Sequence, residues 1–212
     1  MTVTPAVNET SFFEIEKKIR KAADFGALWI HLDVSDGKFT KNTLWNNPAD
    51  LLNINDKLSN IKIEVHLMVE NPDEVFENWI DAGAQRVILH LEAIKDLEVI
   101  KEKCANSGVE LFIAGNPDTL VDKFLAYKGM VDGFLVLAVN PGLAGQKFQE
   151  DQLEKIKVLR QTFPDTKIEA DGGVNADNTK AIKDAGADIL VSASYIWNSK
   201  SPKQAYLDLL NI

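Results

Sequence analysis

The chain has 212 residues, 45% hydrophobic and 26% charged, with a formal net charge of −9. That length suits one large domain over 1–212 with a full core, and the acidic balance argues against a nucleic-acid binder held through phosphates. One cysteine, Cys104, excludes an internal disulfide and points to a reducing compartment, the cytoplasm; Met1–Asn8 does not read as a signal peptide, and no apolar run approaches the roughly 20 residues that span a bilayer.

Strand-like runs fall at about 2–7, 28–34, 61–68, 86–91, 109–114, 132–139, 166–170 and 188–192. Helix-like stretches fall at about 11–25, 48–58, 72–82, 94–107, 118–128, 150–163, 176–185 and 201–210. Strict alternation predicts a parallel sheet covered by helices, and eight repeats at this length are the count of a (β/α)8 TIM barrel. The open doubly wound alternative lacks a Gly-x-Gly-x-x-Gly after the first strand. Pro72, Pro117 and Pro202 stand near first helical turns, and Asn175 is placed to cap the helix that starts near Ala176. Gly26, Gly83 and Gly186 each read as the end of a helix before entry into a strand. Two longer loops, Gly37–Asn47 and Asn140–Lys147, follow strands, on the face where barrels carry their chemistry.

All three histidines end apolar runs, as His31-Leu32-Asp33, His66-Leu67-Met68 and His90-Leu91-Glu92. Residues i and i+2 of a strand share a face, so His31 and Asp33 project together. A further strand-like run ends in Asp171-Gly172-Gly173. His31, Asp33, His66 and Asp171 therefore form a candidate ligand set of two imidazoles and two carboxylates, suited to Zn²⁺, Mn²⁺, Fe²⁺ or Co²⁺. The competing reading is a set of hydrogen-bonded polar core groups. Glycines supply a second constellation: Asn140-Pro141-Gly142-Leu143-Ala144-Gly145, then Gly172-Gly173, then Ser192-Ala193-Ser194 on successive strand ends. Such loops let backbone N–H groups approach an anion, and the loops after strands seven and eight are a frequent phosphate site in barrels.

The pieces His31–Gly37, Glu64–Pro72, Val139–Phe148 and Asp171–Asn175 together resemble the ribulose-phosphate 3-epimerase family, in order and spacing, over nearly the whole chain. The resemblance implies a barrel of the ribulose-phosphate binding type with one catalytic divalent metal held by His31, Asp33, His66 and Asp171. It implies that Asp33 and Asp171 move protons on opposite faces of a small phosphorylated sugar and invert C3, interconverting D-ribulose 5-phosphate and D-xylulose 5-phosphate in the pentose phosphate pathway. By the same resemblance His66, Gly142, Leu143, Ala144, Gly145, Gly172, Gly173, Ala193 and Ser194 bind substrate and its phosphate. Ala6, Ser35, Met68 and Leu137 line the pocket. His90 and Glu92 match a His-x-Glu pair expected to be hydrogen-bonded beside the site, not ligating. A homo-oligomer is compatible with such a barrel, with no interface named.

Several positions depart from the family pattern. Ala6 stands where the family has serine, Ser35 and Leu137 where it has methionine, and Ala193 where it has glycine. Gly142-Leu143-Ala144-Gly145 replaces Gly-Phe-Gly-Gly. The ligand and acid/base positions are kept while substrate-facing ones change, so an allulose-6-phosphate 3-epimerase is the alternative within the class. A catalytically silent sugar-phosphate-binding barrel is the alternative outside it. A lyase of the Asp-x-Lys-x-x-Asp type is disfavoured, because Asp33-Val34-Ser35-Asp36 has no lysine between its acids.

Overall fold

The computed structural model describes residues 1–54, 61–142 and 145–212. Eight short runs of β-branched and aliphatic residues become strands: β1 (Thr2–Val7), β2 (Trp29–Ser35), β3 (Lys62–Met68), β4 (Arg86–His90), β5 (Glu110–Gly115), β6 (Gly133–Leu137), β7 (Lys167–Asp171) and β8 (Ile189–Ser192). They pair in parallel in sequence order, and β8 returns to β1 to close the barrel. The predicted (β/α)8 barrel is the observed one.

The helices are α1 (Phe12–Asp24), α2 (Pro48–Leu52), α3 (Pro72–Asp81), α4 (Leu97–Ser107), α5 (Gln152–Thr162), α6 (Ala176–Ala185), α7 (Ser194–Trp197) and α8 (Pro202–Leu210). Their apolar faces lie on the outside of the strands. There Ile15, Ile19, Phe76, Trp79, Ile182 and Leu209 join one continuous core. A separate cluster of Ile88, Phe112, Ala114, Leu135, Leu137, Val139 and Ile189 packs between the strands on their other face. Strand alternation thus sorts residues into two cores, one under the helices and one inside the barrel.

Four elements differ from expectation, each for a local reason. Residues 118–128 do not form an α-helix; Val121–Tyr127 is a 3₁₀ segment. Its lead-in is committed elsewhere: Asn116 N–H donates to Glu92 and the Lys155 ammonium to the carbonyls of Asn116 and Pro117. Helix α2 ends at Leu52 rather than near 58, and residues 55–60 lie outside the described residues. Helix α4 begins at Leu97 rather than 94, because Asp96 accepts the Val99 N–H as its cap and Asp73 accepts the N–H groups of Lys95 and Asp96. The short α7 was not anticipated; its Trp197 indole donates to the Ala6 carbonyl at 2.6 Å. The expected Asn175 cap is present and forms a reciprocal box with Asn178. Cys104 is buried, as packing requires.

Candidate active site

Parallel register brings the polar strand ends to one level. Asp33 pairs with His66, and His31 with Glu64, across β2 and β3. Leu137 pairs with Asp171 across β6 and β7. Asp171 and the β2–β3 residues point into the same interior, where His31, Asp33, His66 and Asp171 each offer a donor atom and all four atoms lie within 4.8 Å of one another. His66 Nδ1 is 3.2 Å from Asp33 Oδ1 and 3.9 Å from Asp171 Oδ2. His31 Nε2 is 3.3 Å from Asp33 Oδ1 and 4.0 Å from Asp171 Oδ2.

Two observations fit a cation in this cluster. His31 Nε2 is fully buried and makes no hydrogen bond among the described residues, although carboxylate oxygens flank it. The donor set, two imidazoles and two carboxylates, is that of a borderline divalent ion. A second group, His31, Glu64 and Glu169, is also close enough to hold an ion. There the Arg86 guanidinium already occupies the cation's role, paired with Glu64 and lying 3.3 Å from Glu169. Arg86 also stands 4.2 Å from the Trp29 ring centroid and 4.1 Å from that of Phe112.

The protonation states diverge. Burial favours neutral Asp33, but His31 and His66 outweigh it and hold the carboxyl well below its usual range. Burial, reinforced by Asp33 and Glu64 against the pull of His31, pushes Asp171 up to about 7. Burial disfavours a charged His31, yet Asp33, Glu169 and Glu64 together raise it well above an ordinary histidine. Burial drives His66 down to about 4, with His90 and His31 adding to the effect and Asp33 opposing it.

Above the cluster lies a pocket. Ala6, Asp33, Met68, Leu137, Gly142, Gly145, Asp171, Gly172, Gly173, Ala193 and Ser194 line it. Ser35 is not among the lining residues: its hydroxyl lies 2.6 Å from Thr40 Oγ1 and donates to the Asn42 carbonyl, beneath the loop after β2. Leu143 and Ala144 lie outside the described residues. The Asn42 side chain donates to the Gly142 carbonyl at 3.0 Å, strapping the β2 loop to the β6 loop. Asp36 accepts N–H groups from Lys38, Phe39 and Glu70, so it organises the turn and ties it to β3.

Gly172 and Gly173 both have positive φ, 109° and 70°. A Cβ on Gly172 would stand 2.6 Å from Val139 Cγ2, and one on Gly173 2.9 Å from the Gln146 carbonyl oxygen. The β7 loop therefore lies directly against the β6 loop, and only glycine permits that approach.

The residue-level reading overlooked Asn8, which lines the pocket and donates to Asp33 Oδ2 at 3.1 Å. It also overlooked Glu64, Glu169 and Arg86. Their signal was present: each stands an even number of residues before a polar strand end, at His66, Asp171 and His90, and so shares its face. The expected His90–Glu92 pair is present at 3.3 Å.

A family model described as the ribulose-phosphate 3 epimerase family matches residues 2–197. The ribulose-phosphate 3-epimerase of Chlamydia muridarum is 35% identical over 205 residues, which cover 94% of this chain and 89% of that one. The enzyme of the same name from Helicobacter pylori strain J99 is 33% identical over 216 residues, covering 100% and 98%, and that of Schizosaccharomyces pombe 29% identical over 210 residues, covering 99% and 92%. Among solved structures, a 3-hexulose-6-phosphate synthase superposes with a TM-score of 0.75 over 99% of this chain and 98% of its own, at 14% identity. That likeness concerns the fold alone.

Proposed function

The chain belongs to the ribulose-phosphate 3-epimerase family, and from that premise we propose that it inverts C3 of D-ribulose 5-phosphate to give D-xylulose 5-phosphate, using one divalent metal and the carboxylates of Asp33 and Asp171. The observation that carries this reading is the convergence of two imidazoles and two carboxylates from three strands, with both carboxylates lining one pocket.

His31, Asp33, His66 and Asp171 would hold the metal. When bound, a divalent cation supplies Lewis-acid stabilisation of the enediolate oxygens that form once the C3 proton leaves. Asp33, ionised, takes the proton from one face of C3. Asp171, pushed up to about 7 by burial, returns a proton to the other face. Two carboxylates driven apart in basicity by their surroundings suit a base and an acid working in turn. In the reverse reaction they exchange roles. The backbone at Gly142, Gly145, Gly172, Gly173, Ala193 and Ser194 receives the phosphate, and the Asn42–Gly142 strap shields the sugar from water.

No helix among the described residues is long and apolar enough to cross a membrane. The buried free thiol of Cys104 supports a reducing compartment, the cytoplasm.

The test is incubation with ribulose 5-phosphate in D₂O, with added Zn²⁺, Mn²⁺ or Fe²⁺ or with EDTA, read by NMR. Metal-dependent deuterium at C3 together with xylulose 5-phosphate is the expected result. Turnover of allulose 6-phosphate in strong preference to the pentulose would overturn the substrate; no exchange with any metal and either sugar would overturn the reaction.

A further inference from the structure

We propose that Asn42 and Thr40 are positioning residues for the substrate phosphate: from the loop after β2 they hold the Gly142 backbone of the loop after β6 in place. This rests on the reading above that the β6 and β7 loops receive the phosphate, and it adds what fixes the first of them.

β2 and β6 stand on opposite sides of the closed barrel, four strands apart whichever way the sheet is followed. No strand pairing therefore sets one loop against the other, and side chains must do it. Two contacts cross the mouth. The Asn42 side-chain amide donates to the Gly142 carbonyl at 3.0 Å. Beside it, a Cβ on Gly142 would stand 3.1 Å from Thr40 Cβ and 3.2 Å from Thr40 Oγ1, so the threonine rests directly on the Gly142 backbone.

The β2 loop can bear on its partner because it is itself braced. At its base Asp36 and Thr43 form an antiparallel bridge, and the Leu44 N–H donates to the Ser35 carbonyl at 3.2 Å. The Asp36 carboxylate accepts the N–H groups of Lys38 and Phe39 within the loop and of Glu70 just beyond β3. Inside the loop, the buried hydroxyls of Ser35 and Thr40 close a ring of three oxygens with the Asn42 carbonyl. The hydroxyls are 2.6 Å apart, and they lie 2.5 and 2.8 Å from that carbonyl. Two hydrogens serve three contacts, so whichever hydroxyl donates to the other, the remaining one donates to Asn42. The Asn42 backbone is pinned where its side chain reaches Gly142.

The β7 loop braces the β6 loop at Val139 and Gln146, on either side of Gly142 in the chain. Asn42 and Thr40 supply the restraint at Gly142 itself. A backbone that is already ordered binds an anion without the cost of ordering it. Ser35 follows Asp33 by two residues on β2. One strand therefore carries both the proposed base and the support of the phosphate loop, which keeps the two ends of the sugar in register.

The test uses the full-length protein labelled with ¹⁵N-glycine, titrated with inorganic phosphate and read by ¹H–¹⁵N correlation; its 12 glycines make the spectrum sparse. KM and kcat for ribulose 5-phosphate are measured alongside. In the wild type, phosphate should shift the amides of Gly142, Gly172 and Gly173. Asn42→Ala should raise the phosphate dissociation constant and KM together, by about three- to tenfold, with kcat little changed. Thr40→Val should move both the same way and less, and Thr40→Ser, which keeps the hydroxyl, should restore the wild-type values. If circular dichroism shows that Asn42→Ala does not fold, the Thr40 pair decides the matter. Unchanged phosphate affinity in the folded variants overturns the positioning role and leaves the phosphate site standing, and so does a loss confined to kcat. Phosphate shifts that spare all three glycines overturn the phosphate-loop reading, and the positioning role with it. Should ribulose 5-phosphate not turn over, the phosphate titration alone decides.

Discussion

The Asn8 side-chain amide donates to Asp33 Oδ2 at 3.1 Å, while His66 Nδ1 and His31 Nε2 lie 3.2 and 3.3 Å from Asp33 Oδ1. Both oxygens of one carboxylate are thus held, one toward the imidazoles and the other from the end of β1. Asn8→Leu removes the second restraint. Since a hydrogen bond to a charged group contributes about 1.5–3 kcal/mol, kcat/KM should fall by about tenfold or more, chiefly in kcat. Steady-state kinetics check this, and unchanged kcat would mean that Asp33 is held well enough by the imidazoles alone.

Asp171→Asn keeps the shape of the side chain and removes its proton transfer. Because general acid–base groups typically contribute about 10²–10⁴-fold, epimerisation should fall by at least about 10²-fold, with the circular dichroism spectrum preserved. Asp33→Asn should act equally. Residual xylulose 5-phosphate formation at wild-type rate in either variant would remove that aspartate from the chemistry.

Metal affinity should rise with pH. His31 is raised well above an ordinary histidine, so near and below neutrality the metal must displace its proton. Each proton displaced weakens binding by up to about tenfold per pH unit of acidification. The charged His31 also stabilises the metal-free protein: that contribution is full below the ordinary histidine range and is lost as pH rises through the raised value. The gain in Tm on adding Zn²⁺ should therefore be larger at pH 8 than at pH 6, as differential scanning calorimetry can show. A gain that shrinks as pH rises would contradict this protonation scheme.

Arg86→Met should strongly destabilise the barrel. The guanidinium is 2% exposed and pairs with the fully buried Glu64, 3.3 Å from the equally buried Glu169. Removing one partner of a buried ionic set costs about 3–5 kcal/mol. Protonating the stranded acids relieves part of that loss, so urea midpoints should separate further at pH 8 than at pH 6. Equal loss at both would show that the carboxylates are not the cause.

Gly173→Ala places a Cβ at positive φ against the Gln146 carbonyl. If the β7 and β6 loops receive the phosphate, KM should rise several-fold while kcat changes little, which a Michaelis–Menten comparison reads directly. A selective loss of kcat would move Gly173 from substrate binding to the proton-transfer geometry.

The sequence by itself determined the architecture and the chemical types at the site. Eight alternations and apolar runs of strand length leave a parallel barrel as the economical way to bury those faces. Period two along β2 and β3 already placed His31 with Asp33, and His66 at the same end of its strand. Local chemistry also marked the Asn175 cap and the paired glycines at 172 and 173. Only the tertiary structure decided what depends on barrel closure and side-chain reach. Closure brings Asp171 of β7 to the imidazoles of β2 and β3, which are not its hydrogen-bonding neighbours. Reach joins Asn8 to Asp33, His90 to His66 and Arg86 to two acids from different strands. It also turns the Ser35 hydroxyl to Thr40 and Asn42 rather than to the pocket, and binds the lead-in to Val121–Tyr127 to Glu92 and Lys155 instead of a helix. These are contacts between residues far apart in the chain, and spacing along one strand carries no information about which partner lies across the interior.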